Sequence, residues 1–420
     1  MRCNKFFQSK LWLPLAAAAA VLLLTACGGG GGGGSSLSTG SGGGGDNEHP
    51  IAVTGGPINN VNLLLTSVTI CTPGSSSQCQ TIPDVLVDTG SFGLRIMASA
   101  LNGNATPTIV RNGANVPLVE CTQFADGFTW GPVKRVDVRM SDERAANIPI
   151  QIIGDPAHPT VPADCLATGS NNSTVADFGA NGVLGIGVFK EDCGSGCALI
   201  TDNGLYYACN GSSCEPSTAS LTAQVRNPIA DFAVNNNGVI IDLPAVPDQG
   251  AATVSGSMIF GIATKGNNAL GNARVLDVNP ISGTFSSSVR TQTFSQSFLD
   301  TGSNGLFFPY GSAFNDTELP TCDVNPAPDF FCPITQVDAT GILQGYSNGN
   351  SVSADFSIGN ANDLLNDNPT FLAYATVGAP IPQAFANSFD WGLPFYFGRR
   401  VYTGFEGEQI GNTIGPFVAF

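Results

Sequence analysis

Two carboxylates occupy matching places in two halves of the chain. Asp88 ends the apolar run of VLVDTGSFGLRI (residues 85–96) and Asp300 ends that of SFLDTGSNGLFF (residues 297–308), 212 positions apart. The two stretches share Asp, Thr, Gly, Ser, Gly and Leu. A single Asp-Thr-Gly-Ser reads as a turn, because Asp, Gly and Ser each favour turns for their own reasons. Two copies, each led by an apolar strand and followed by Gly-Leu and more apolar residues, imply an internal duplication into two lobes whose acids can meet. Two neighbouring carboxyl groups cannot both ionise cheaply, so they share a proton and titrate as a pair, one acting as acid and the other as base. Gly90 and Gly302 let backbone N–H groups approach the carboxylates, and Ser91 and Ser303 can donate to their outer oxygens.

Strands must position such a pair. The chain has 420 residues, 52 Gly, 27 Pro and only 11% charged residues, too long for one ordinary core and composed for many short strands joined by turns. An all-β protein of two domains is expected. The net charge of −16 argues against nucleic acid as a partner and is compatible with work at low pH, where self-repulsion falls.

Arg2, Lys5 and Lys10 precede the apolar run LWLPLAAAAAVLLL, which ends in LTAC at Leu24 to Cys27. This pattern is that of an export leader, too short for a membrane span. LTAC resembles the lipobox of bacterial lipoproteins, which implies cleavage after residue 26 and a lipid on Cys27. A Gly/Ser-rich tether, residues 27–49, follows. Ten further cysteines, Cys71, Cys79, Cys121, Cys165, Cys193, Cys197, Cys209, Cys214, Cys322 and Cys332, read as disulfides in an exported chain. Cys71 with Cys79 and Cys322 with Cys332 would close short loops, while the middle four can pair as neighbours or nest. Their spacing is not that of zinc knuckles, and no metal is expected.

On the two Asp-Thr-Gly-Ser loops, the chain resembles the pepsin-like aspartic peptidases. The resemblance extends to FGANGVLGIG (178–187), GVIIDLP (238–244), GSMIFGIA (256–263), FGRRVYTGFE (397–406) and the closing GPFVAF, in the family's order. It implies a bilobal, pseudo-symmetric β fold with a central cleft: an N-terminal lobe over residues 50–235 and a C-terminal lobe over residues 236–420. It also implies an aspartic endopeptidase in which water between Asp88 and Asp300 attacks a peptide carbonyl, with no cofactor and a polypeptide as substrate. Thr89 and Thr301 would each tie their loop to the opposite one. The hairpin that covers substrate in this family aligns with FADGFTWGPVKRVDV (124–138), making Phe124, Asp126 and Gly127 its candidate tip. Phe124 stands where the family carries Tyr, and Arg95 where it often carries Trp. Gly392, in FDWGLPFYF, is the candidate counterpart of the glycine in GVLGIG. The expected protein is a monomer held to the cell envelope by its N-terminal lipid, at an outer membrane if the organism has one.

Other chemistries fit less well. A Ser-His-Asp triad would need His49, in the tether region, or His158, in a Pro-rich loop, and neither adjoins a strained serine turn. The GVLGIG glycines lack the order and setting of a dinucleotide loop. The rival from another class is a catalytically silent lipoprotein that binds peptide, protein or polysaccharide in the same cleft.

Overall fold

The computed structural model describes residues 46–420; the leader, Cys27 and nearly all of the tether lie outside the described residues. Strand Cys79–Asp88 shows how the apolar runs are used. Val85 and Val87 enter the main core, while Leu86 joins a separate apolar cluster with Leu63, Leu65, Phe124, Phe178 and Val183. That is the two-residue alternation of a strand buried on both faces. Asp88 falls on the Leu86 face, at the strand's end.

Each half builds one motif. In the first, Gly182–Ile186 runs parallel to Cys79–Asp88 on one edge and antiparallel to Phe92–Met97 on the other, so the loop carrying Asp88 straddles a third strand. In the second, Asp390–Trp391 runs parallel to Gln292–Leu299 and antiparallel to Leu306–Phe308. The registers coincide: Leu86 faces Val183 and Phe298 faces Asp390. Gly392 therefore takes the place of Gly185 without a slip. A Cβ on Gly392 would meet Gly305 O at 2.0 Å, and one on Gly185 would meet Phe92 N at 2.6 Å, so both loops close over their strand only against glycine.

A shared sheet joins the halves. Glu48–Thr54 pairs antiparallel with Val254–Phe260, which pairs onward with Gly238–Asp242 and through it with Arg400–Gly404 and Phe417–Ala419. This pairing corrects the expected end of the tether at residue 49, because Glu48 and His49 already belong to a strand. His49 is buried, with Nδ1 3.0 Å from Ser141 Oγ and Nε2 2.9 Å from Ser67 O. Residues 55–62 add a second link between the halves. Val61 enters the apolar cluster of Phe307, Phe330 and Tyr374, and the Asn62 side-chain amide donates to Asn304 O at 2.8 Å and Tyr374 O at 2.9 Å.

Five disulfides form among the described residues: Cys71–Cys79, Cys121–Cys165, Cys193–Cys197, Cys209–Cys214 and Cys322–Cys332. The middle cysteines thus pair as neighbours. Cys71 faces Cys79 and Cys209 faces Cys214 across adjacent strands.

Candidate active site

The two Asp-Thr-Gly-Ser loops meet between the halves, fastened by their threonines. Thr89 Oγ1 donates to Leu299 O at 3.1 Å and accepts from Thr301 N–H at 3.0 Å. Thr301 Oγ1 reciprocates, donating to Val87 O at 2.7 Å and accepting from Thr89 N–H at 3.1 Å. A hydroxyl that is donor and acceptor at once is what permits this crossed pairing. Tyr396, fully buried beneath the loops, bonds Thr89 Oγ1 through its hydroxyl at 2.8 Å. Burial holds this phenol's pKa well above its ordinary value.

The glycines explain how close the acids come. A Cβ on Gly302 would lie 2.9 Å from Asp88 Oδ1 and 3.0 Å from Asp300 Oδ1, and one on Gly90 would lie 2.6 Å from Asp300 Cγ. Each carboxylate thus rests against the other loop's glycine, and the Oδ1 atoms approach a common point. Asp88 receives three donors: Gly90 N–H at 2.7 Å and Ser91 N–H at 3.1 Å on Oδ1, and Ser91 Oγ at 2.5 Å on Oδ2. Asp300 Oδ1 accepts from Gly302 N–H at 2.7 Å, and its Oδ2 lies 2.8 Å from Ser303 Oγ. Burial, then the neighbouring charge of Asp88, raises the Asp300 pKa well above the ordinary carboxyl range. An array of this kind holds a proton on one acid beside an ionised partner, the arrangement needed to activate a water while protonating its target.

Phe124, Asp126 and Gly127 do form the end of a hairpin, Leu118–Phe124 with Gly127–Met140, joined by two residues. The tip is docked on its own half. Phe124 is buried with its ring 5.7 Å from that of Phe178, and Gly127 pairs with Ser170. Phe124 borders the site through Leu86, which shares the strand face of Asp88. An aromatic ring without a hydroxyl gains more from this apolar cluster than from a solvated cleft.

Arg95, read as a stand-in for Trp, is the centre of a buried charge cluster. Its guanidinium reaches Glu120 Oε1 at 2.7 Å, Asp192 Oδ2 at 3.0 Å and Thr122 Oγ1 at 2.8 Å. Tyr206 Oη donates to Asp192 at 2.8 Å. Burial opposes the Arg95 charge, but Glu120 and Asp192 outweigh it and its pKa rises. Burial pushes the Asp192 carboxyl upward, with Glu120 adding to the effect. Because Glu120 lies on the first strand of the hairpin, the cluster anchors that hairpin beside the Asp88 loop.

Asp390 and Tyr396 were not anticipated as site residues. In the sequence both sit among aromatic residues that read as core, and their partners, Ser303 and Thr89, are 87 and 307 positions away.

A family model described as "Protein of unknown function (DUF3443)" matches residues 44–420. A comparison with the curated proteins finds no match. Among solved structures, the chain is similar to the crystal structure of an aspartic proteinase from Irpex lacteus, with a TM-score of 0.51 and 14% identity, covering 89% of this chain and 96% of that one. At this identity the likeness is one of fold: an all-β, bilobal, pepsin-like architecture.

Proposed function

The chain belongs to the family of that model, and we propose that it is an aspartic endopeptidase using Asp88 and Asp300, exported and tethered to the cell envelope by a lipid on Cys27. The observation that carries this reading is the crossed threonine bonding that sets both carboxylates against a common point. A structural turn needs no such arrangement, and burying two acids together is costly to the fold.

In the proposed mechanism, Asp88 is the ionised partner because three donors stabilise its charge, and Asp300 carries the proton. A water between them gives a proton to Asp88 as its oxygen attacks the peptide carbonyl carbon. Asp300 protonates the carbonyl oxygen. Collapse of the tetrahedral intermediate then breaks the C–N bond: Asp88 passes the proton it took from water to the departing nitrogen, and Asp300 recovers a proton from a hydroxyl of the gem-diol. Polypeptide is the substrate class and the protein acts as a monomer, at the outer membrane if the organism is Gram-negative.

The test is cleavage of an unstructured protein by the purified chain from about pH 3 to about pH 7, the range over which carboxyl pairs exchange protons. It is run with and without a statine-type inhibitor, beside Asp88→Asn. Inhibitable cleavage that disappears in the variant supports the reading. Folded protein that retains peptide without cutting it, equally in Asp88→Asn, would instead establish a binding cleft. The anchor is tested separately: Cys27→Ala should move the protein from the membrane fraction to the soluble one.

A further inference from the structure

Behind the dyad lies a third acid. Asp390 is buried, and its Oδ2 stands 2.7 Å from Ser303 Oγ, the same hydroxyl that lies 2.8 Å from Asp300 Oδ2. A serine hydroxyl has one hydrogen. It can donate to one of these carboxyl oxygens, so the other must itself hold a proton and donate to Ser303. Asp390 is the one suited to hold it. Its Oδ1 has no hydrogen-bond partner among the described residues, a condition far costlier for a carboxylate than for the carbonyl oxygen of a neutral acid.

The surroundings agree. The titratable groups facing Asp390 are Asp300 and Asp88 from the two loops and the Tyr396 phenol from the short helix Leu393–Tyr396. Its strand neighbours opposite, Phe298 and Phe307, are apolar, and no Lys, Arg or His among the described residues pairs with it. Burial raises its pKa well above the ordinary carboxyl value, and the Asp88 charge adds to this. Packing does not require an acid here, because Val183 fills the equivalent register in the first half.

We infer that Asp390 is a positioning residue for the dyad: it donates a hydrogen bond to Ser303 Oγ, which turns the Ser303 hydrogen onto Asp300 Oδ2 and so confines the proton of Asp300 to Oδ1, the oxygen that lies with Asp88 Oδ1 against Gly302. The array then holds three carboxyls, two protons and one negative charge. When Asp300 gives up its Oδ1 proton during turnover, the charge left behind is met at Oδ2 by a donor already aimed at it, while Asp390 keeps its own proton throughout. This inference rests on the proposed peptidase reading.

The direction of a pH shift tests it. Removing a neutral donor chain destabilises ionised Asp300 and moves the basic limb of kcat/KM upward, whereas removing a negative charge moves that limb downward. Asp390→Val should lower kcat about fivefold with KM unchanged and raise the basic limb by roughly half to one pH unit, the scale of one hydrogen bond. Asp390→Asn, whose amide N–H can still donate to Ser303, should keep both the wild-type rate and the wild-type profile. A downward shift in both variants, or no shift in either, overturns the inference. A second readout needs no activity. Infrared spectra of the unreacted full chain at neutral pH should show a protonated-carboxyl C=O band that Asp390→Asn removes. Absence of that band in the wild type refutes the inference even if the enzyme is active. Its presence in a protein that cleaves nothing would retain the buried neutral acid and reject the peptidase reading.

Discussion

Replacing Thr89 by Val keeps its shape and removes one hydroxyl, yet three buried groups lose their partner: Leu299 C=O, Thr301 N–H and the Tyr396 hydroxyl. A buried polar group left unpaired costs about 1–3 kcal/mol, so the substitution should destabilise the protein by roughly 3–9 kcal/mol. Thr301→Val strands two groups, Val87 C=O and Thr89 N–H, and should cost roughly 2–6 kcal/mol. The difference belongs to Tyr396. Tyr396→Phe should therefore cost about 1 kcal/mol in the wild-type protein but recover about 1–3 kcal/mol in the Thr89→Val background, where it removes the stranded hydroxyl, a coupling that a double-mutant cycle isolates. The assay is urea unfolding with disulfides intact, reading the change in midpoint at a common slope. Equal costs for the two threonines, or a Tyr396→Phe cost that survives in Thr89→Val, would refute the assignment of Tyr396 as the support beneath the loops.

Gly302→Ala places a methyl group about 3 Å from both inner carboxylate oxygens, and a displacement near 1 Å should lower kcat by about 100-fold while circular dichroism stays unchanged. Arg95→Leu leaves Glu120 and Asp192 buried without their cation; a loss of about 3–5 kcal/mol is expected in chemical denaturation at neutral pH. Replacing Cys121 and Cys165 by Ser opens a loop of sequence separation 44 and should cost about 4 kcal/mol by the same assay. Asp390 also predicts a pH dependence of stability. Its folded pKa lies above the unfolded value of 3.8, so the native state binds more protons over that interval and stability falls as pH rises from 3.8 through the folded pKa. Asp390→Asn should flatten that part of a melting-temperature profile.

The features most legible in the sequence were those encoded locally and twice. Asp88 and Asp300 stood out because turn residues followed an apolar run in both halves, and a repeated pattern is hard to attribute to turn chemistry alone. Short disulfide loops such as Cys71–Cys79 were legible for a similar reason. His49 reads as tether because glycines precede it and Pro50 follows, whereas its strand partner Met258 lies about two hundred positions away. The hairpin ending at Phe124 could be located, but its docking on Phe178 depends on a helix whose position only the folded lobe defines. Arg95 was visible as a departure without its meaning, since Glu120 and Asp192 come from separate strands and loops.

Asp390 joins these observations. An acid within FDWG carries no local signal, because alternation along a strand readily places a polar residue toward solvent. The fold instead turns it inward, beside a serine of the Asp300 loop. The two halves thus repeat a backbone while differing in the proton content of their cores: Val183 on one side and a carboxyl on the other, at one register. A symmetric pair of loops would leave the shared proton equally at home on either acid. Three donors on Asp88, from Gly90 N–H, Ser91 N–H and Ser91 Oγ, against two on Asp300, from Gly302 N–H and Ser303 Oγ, remove that equivalence. Under the proposed mechanism, the bias that makes Asp88 the base and Asp300 the acid therefore lies in the loops' own donors, while Asp390 behind them fixes which Asp300 oxygen holds the proton without touching substrate.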